Sequence, residues 1–260
     1  MEGNSSWKWR WSKLVRKIER VHTLGERQEL IERLSKPDRP LILAFANAHS
    51  MNLLAKSESF FKSLCDADTV LRDGSGMETL FNQLRIPPGL NLNGTDLIPD
   101  LISLFNGRCI ALLGTQEPYL RSGVDFVEKN LAPQSNFVHA NGFHEEKVYL
   151  LLAAESCPAL IVLGMGMPRQ EEVAIALRST LSYPCLIVCG GAIIDFWGGR
   201  TTRAPLWMRR NGMEWFFRLQ LEPKRLFQRY VTGNMVFLAR ALIFPFFNSG
   251  LIQKIFRSRV

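Results

Sequence analysis

Ala159-Leu-Ile-Val-Leu-Gly-Met-Gly-Met-Pro168 opens a stretch of the chain that closes with Cys185-Leu-Ile-Val-Cys-Gly-Gly191. Both ends are short, wholly apolar runs stopped by glycine, and residues 169–181 between them have the period of an amphipathic helix. An apolar run without polar alternation fits a strand buried on both faces, as in a parallel sheet covered by helices on both sides. The pattern recurs along the chain. Strands are expected at 41–46, 69–72, 109–113, 136–140, 159–163 and 185–189. The expected helices are 12–34, 50–64, a segment reaching residue 84, one that follows residues 93–96 and runs through 105, 119–130, 144–155 and 169–181. The class is α/β: a Rossmann-like, mostly parallel sheet with helices on both faces, plus a basic, aromatic, helical C-terminal appendage.

Charge divides the 260 residues into three segments. Residues 1–40, a basic amphipathic N-terminal helix, carry +4; the core, 41–202, carries −5; the appendage, 203–260, carries +9. In the appendage, cations from Arg203 to Arg259 alternate with aromatics such as Trp207, Trp215, Phe227, Phe237 and Phe246. Such a segment suits an anionic surface with an apolar layer beneath it, which a bilayer offers. No window of about twenty apolar residues could cross that bilayer, and no secretory signal opens the chain. The five cysteines, odd in number and mostly in apolar runs, read as buried thiols in a reducing cytoplasm.

Four strands end on glycine: Asp73-Gly74, Gly114-Thr115, Gly164-Met-Gly166 and Gly190-Gly191. In open parallel sheets ligands bind beyond the carboxyl ends of the strands. Glycines there let backbone amides approach a phosphate, so a nucleotide or nucleotide-sugar is expected. Asp73 stands where a rigid general base would sit, or else caps the following helix. Asp96 in Gly94-Thr95-Asp96 begins another helix, where capping is the plainer role. Gln170 and Glu171 begin a third, with a cap or a ligand contact both open. Asn47 ends the first strand, and Asp195 follows the Gly190-Gly191 strand end. His49, His139 and His144 share no metal spacing, and Asp66-x-Asp68 reads as a polar helix end rather than a cation site.

With these residues laid out, the chain resembles the WecG/TagA/CpsF family of bacterial glycosyltransferases. The matching segments are Ala67-Asp-Thr-Val-Leu-Arg-Asp73-Gly-Ser-Gly76, Asn93-Gly-Thr-Asp-Leu97, Leu163-Gly-Met-Gly-Met-Pro-Arg-Gln-Glu171 and Gly190-Gly-Ala-Ile-Ile-Asp-Phe-Trp-Gly-Gly199. The most specific runs from Arg203-Ala-Pro through Gly212-Met-Glu-Trp-Phe-Phe-Arg218 to Glu222-Pro-Lys-Arg225. The resemblance implies inverting transfer from a UDP-sugar to a polyprenyl-diphosphate-linked saccharide, by a peripheral enzyme on the cytoplasmic face of the membrane, without metal or other cofactor. It makes Asp73 the base and Arg218 and Arg225 the stabilisers of the leaving UDP. Substrate binding falls to Asn47, Gly74, Gly94, Thr95, Asp96, Gly114, Gly164, Gly166, Gln170, Gly190, Gly191, Arg203 and Arg229. One departure is Phe45, where the family usually has threonine.

The rival reading is a basic protein that binds nucleic acid or membrane without catalysis. It leaves the glycine-ended strands unexplained, so no nucleic acid is expected as a partner. A nicotinamide-dependent oxidoreductase would need a GxGxxG that is absent. A homo-oligomer is compatible with the sequence. Residues 203–230 are expected to complete the active site and 235–260 to hold it on the bilayer, so that deleting 235–260 weakens membrane association without unfolding the core.

Overall fold

In the computed structural model, which describes residues 6–247, the apolar runs become six strands. These are β1 (Pro40–Ala46), β2 (Thr69–Arg72), β3 (Cys109–Gly114), β4 (Asn136–Ala140), β5 (Leu160–Gly164) and β6 (Cys185–Cys189). They pair entirely in parallel, in the order β2-β1-β6-β5-β3-β4. Successive side chains leave a strand on opposite faces, and β1 shows the result. Ile42, Ala44 and Ala46 enter one core layer, while Leu43 and Phe45 enter the other. At the ends of β3 and β5 the chains come very close, and a Cβ on Gly114 would lie 2.4 Å from the carbonyl oxygen of Gly164. Only glycine fits there.

Helices cover both faces. In chain order they begin with α1 (Trp7–Lys17), α2 (Leu24–Ser35), α3 (Ala48–Lys56), α4 (Glu58–Asp66), α5 (Ser75–Gln83) and α6 (Gly94–Leu104). There follow α7 (Tyr119–Asn130), α8 (Glu146–Ser156), α9 (Arg169–Thr180) and α10 (Ile193–Trp197). The appendage holds α11 (Leu206–Arg210), α12 (Glu214–Leu221), α13 (Pro223–Phe227), a π-helical turn at Gln228–Thr232, and α14 (Gly233–Ile243).

Two expected helices are each broken in two. The helix expected over 12–34 splits because Glu19 bridges in parallel to Leu71, its amide donating to the Val70 carbonyl at 2.9 Å. Thr23 then caps α2, its hydroxyl accepting from the Glu26 amide at 3.1 Å, while the Glu26 carboxylate accepts from the His22 amide at 2.8 Å. The helix expected over 50–64 breaks at Ser57, whose hydroxyl accepts from the Phe60 amide at 3.2 Å and so starts α4. A side chain that can satisfy free helix-end amides restarts a helix even where the apolar period runs on.

The expected segment boundaries near residues 40 and 203 are crossed by continuous packing. Trp11 of α1 is fully buried, its ring centroid 5.5 Å from Phe237 and 5.4 Å from Phe244, and its indole N–H donates to the Met51 carbonyl at 2.8 Å. Arg240 of α14 lies over Trp7 and donates to the Asn52 side-chain oxygen at 3.2 Å. Phe237, Ala241 and Phe244 therefore share a core with the N-terminal helix, and a deletion of 235–260 would remove these contacts. Lys254, Arg257 and Arg259, counted above in the appendage, lie outside the described residues.

Candidate active site

Every strand sends residues from its C-terminal end into one cavity of about 340 Å³. Phe45 and Asn47 come from β1, Asp73 from β2, Thr115 from β3, Gly142 and Phe143 from β4, Gly164–Met167 from β5, and Gly190–Ile193 from β6. Gly94 and Thr95 join them from the start of α6, and Arg218, Arg225 and Arg229 from the appendage.

Asp73 does not cap α5, which begins after Gly74 with no side-chain cap. Its backbone N–H donates to the Ala46 carbonyl of β1 at 2.9 Å, and its carboxylate accepts from Asn47 Nδ2 at 3.3 Å. The Asn47 amide is itself fixed. Its Oδ1 accepts from the Ser50 amide at 3.0 Å and caps α3, which leaves Nδ2 to face Asp73. Burial raises the Asp73 pKa above the usual carboxylate range, against the opposing pull of Asn47, Arg229, Arg218 and Arg72. Nearby His49 is pushed down to about 4, by burial first and then by Arg229, so it is neutral at ordinary pH.

The appendage brings cations over this carboxylate. Arg218, on α12, lies with its guanidinium carbon 5.4 Å from the Phe196 ring centroid, and Arg229, on the π-helical turn, lies 5.4 Å from that of Tyr230. Burial lowers the Arg229 pKa from its usual value. The Nε atoms of both arginines are buried without a hydrogen-bond partner. Arg225 is paired with Glu222, Nη2 donating to Oε1 at 2.7 Å. Two guanidiniums with unmet donors beside one cavity form a site that suits an anion of high charge density, such as a diphosphate.

The glycine amides expected to cradle a phosphate are committed elsewhere. The amides of Gly166 and Gly191 both donate to Gln170 Oε1, at 3.2 and 2.9 Å, and that of Gly190 donates to the Leu163 carbonyl at 2.8 Å. Gly74, whose amide donates to Asn91 Oδ1 at 2.8 Å, stands outside the cavity lining. So do Asp96 and Arg203, which pair with each other, while Arg209 stands 3.6 Å from the same Asp96 carboxylate. The sequence reading did not single out Arg169 or Arg200, and took Thr115 only as part of a strand end. Arg200 stands 3.4 Å from the Thr115 hydroxyl, which donates to Asp195. Thr115 follows a strand-ending glycine, a visible signal; Arg200 reaches the cavity only through the turn after α10 and has none. Asp68, in the Asp66-x-Asp68 pair, accepts from Arg39 at 2.7 Å and from the Ile42 amide at 2.9 Å, a structural tie between the turn after α4 and β1.

Comparison with known proteins places these residues in context. A family model described as the glycosyl transferase WecG/TagA/CpsF family matches residues 15–249. Two similar proteins, from Staphylococcus aureus strains NCTC 8325 / PS 47 and COL, are each named N-acetylglucosaminyldiphosphoundecaprenol N-acetyl-beta-D-mannosaminyltransferase. Each is 22% identical over 190 residues, covering 72% of this chain and 74% of the relative.

Proposed function

Because the chain belongs to the WecG/TagA/CpsF family of glycosyltransferases, we propose that it moves a sugar from a UDP-sugar onto a polyprenyl-diphosphate-linked saccharide, with Asp73 as general base. The observation that carries this reading is the meeting, in one cavity, of a half-buried carboxylate and half-buried arginines whose buried Nε donors lack partners.

The chemistry follows from that pairing. The acceptor hydroxyl oxygen forms a bond to the anomeric carbon as the bond from that carbon to the UDP oxygen breaks. The Asp73 carboxylate takes the hydroxyl proton, and the departing electron pair becomes negative charge on UDP. Direct displacement inverts the anomeric centre. Arg218 and Arg229, with Arg225 at the cavity edge, hold fixed positive charge where this negative charge develops. The raised Asp73 pKa favours proton transfer, since a stronger base accepts the proton more readily. The names of the relatives support an N-acetylglucosaminyl-diphospho-lipid as acceptor. The polymer made is in that case a surface or exopolysaccharide.

A membrane-linked acceptor requires the enzyme to work at a bilayer, on its cytoplasmic face if UDP-sugars are the donors. The exposed apolar side chains of the appendage support this placement, among them Trp207, Trp215, Phe227, Leu242 and Phe246. Among the described residues no helix is long and apolar enough to cross a membrane. The reading is tested by incubating the purified protein with an N-acetylglucosaminyl-diphospho-lipid and a panel of UDP-sugars, measuring UDP release. At least one donor is expected to turn over, and Asp73→Asn to slow it at least about 100-fold without loss of fold. Undiminished turnover by Asp73→Asn, or no turnover with any UDP-sugar, would overturn it.

A further inference from the structure

Glu171 is only 2% exposed and Gln170 only 1%, although both are polar and neither is paired with a cation. Their bonding settles which end of the Gln170 amide is which. One terminal atom receives the amides of both Gly166 and Gly191, and only an oxygen can accept two N–H groups. The other terminal atom must be the nitrogen, and it lies 2.8 Å from Glu171 Oε1. Gln170 therefore needs an acceptor in that place, and an apolar neighbour would bury an NH₂ group without a partner.

We propose that Glu171 is a positioning residue for the cavity: by accepting from Gln170 Nε2, it orients the amide whose oxygen ties the loop after β5 to the loop after β6. The two loops line one wall, with Met165 and Met167 on the first and Ala192 and Ile193 on the second. Gly166 and Gly191 have φ of +79° and +63°, a backbone region that side-chain-bearing residues rarely adopt. That backbone turns both amides toward a single acceptor. The clamp thus joins two glycine turns that the sheet alone leaves separate, and Glu171 acts at one remove from any ligand.

The other Glu171 oxygen, Oε2, is buried without a partner. Burial, partly offset by Gln170, pushes this carboxyl up to about 8, so at neutral pH it is mostly protonated and uncharged. Glutamine has the same shape and the same lack of charge, and it keeps an acceptor oxygen. Methionine has similar length and no comparable acceptor. The pair of variants separates the hydrogen bond from volume and charge.

The effect on catalysis rests on the UDP-sugar reading, whereas the clamp itself can be measured without substrate. In the unaltered protein, hydrogen exchange followed by NMR should show the Gly166 and Gly191 amides protected relative to exposed loop amides. Glu171→Met should speed exchange of both by about tenfold, the loss expected for one buried hydrogen bond, and Glu171→Gln should leave both within about threefold of the parent. In the transfer assay, Glu171→Met should raise the donor KM about tenfold with kcat little changed, because Asp73 and the arginines are untouched, and Glu171→Gln should restore the parent KM. Fast exchange of either glycine amide in the unaltered protein overturns the clamp, even if Glu171→Met does not fold. Equal impairment of the two variants also overturns it. If the exchange pattern holds but no UDP-sugar turns over, the clamp stands and the donor assignment falls.

Discussion

As the proposed base, Asp73 is under two opposing demands, because a base must be ionised to act and burial disfavours its ionised form. Its pKa is raised, so kcat/KM should fall as pH drops through a value above that of an ordinary aspartate. His49, held near 4 and neutral at ordinary pH, should not set that limb, so His49→Asn is expected to leave it in place. Stability has its own sign. A carboxyl whose folded pKa lies above its unfolded pKa favours folding below the unfolded value and loses that contribution as pH rises through the folded value. Asp73→Asn should therefore melt higher than the parent at pH 7, with the gap closing below about pH 4, near the unfolded aspartate pKa. An unchanged or lower melting temperature at pH 7 would contradict the desolvated carboxylate. Arg229→Ala is expected to lower kcat by roughly 100-fold or more, as removal of a group stabilising transition-state charge does. Arg229→Lys should recover little, because a point charge cannot reproduce the planar donor fork.

At the scale of elements, the lock between α1 and α14 is the least expected contact. Trp11, Phe237 and Phe244 are all fully or almost fully buried in it. Trp11→Ala should destabilise by about 3–5 kcal/mol, the usual cost of removing a buried large aromatic, read from a denaturant midpoint. Truncation before Gly233 should do comparable damage, since it removes the other half of the lock. An unchanged midpoint for the truncated chain would show that α14 does not support the body. This contact is not legible in the sequence, since an aromatic at helical spacing does not say which distant helix covers it. The strands were legible because a wholly apolar run stopped by glycine has few other uses, and Asn47 and Asp73 were found because they directly follow such runs. The breaks at residues 18–23 and at Ser57 were missed because apolar spacing continues across them, although Thr23-x-x-Glu26 is a visible capping pattern. The glycines gather at the cavity edge of the sheet, but the amides of Gly166 and Gly191 already donate to a side chain on α9, which the strand-end pattern does not reveal.

Across the whole molecule, the unlike charge of core and appendage becomes a spatial arrangement. The Asp73 carboxylate belongs to the acidic core, and Arg218 and Arg229, which act on it electrostatically, belong to the appendage. Along α14 and the turn after it, Phe237, Ala241 and Phe244 are buried, whereas Met235, Leu238, Leu242 and Phe246 are exposed, Phe246 by 83%. The helix therefore uses one stripe to hold the N-terminal helix and leaves a second apolar stripe outside. An exposed apolar stripe among basic residues is suited to an anionic lipid surface, where burial of the side chains and attraction of the cations add. Leu242→Glu combined with Phe246→Glu should reduce co-sedimentation with vesicles containing anionic lipid by at least tenfold, since two apolar anchors are lost and two negative charges gained. Both positions are exposed, so the melting temperature should change little, and turnover of a short-chain, water-soluble acceptor should be kept. Raising salt should weaken parental binding without abolishing it, because screening removes only the electrostatic part. Unchanged vesicle binding by the double variant, or parental binding that vanishes entirely with salt, would mean that the exposed stripe does not enter the lipid and that the cations alone hold the enzyme at its acceptor.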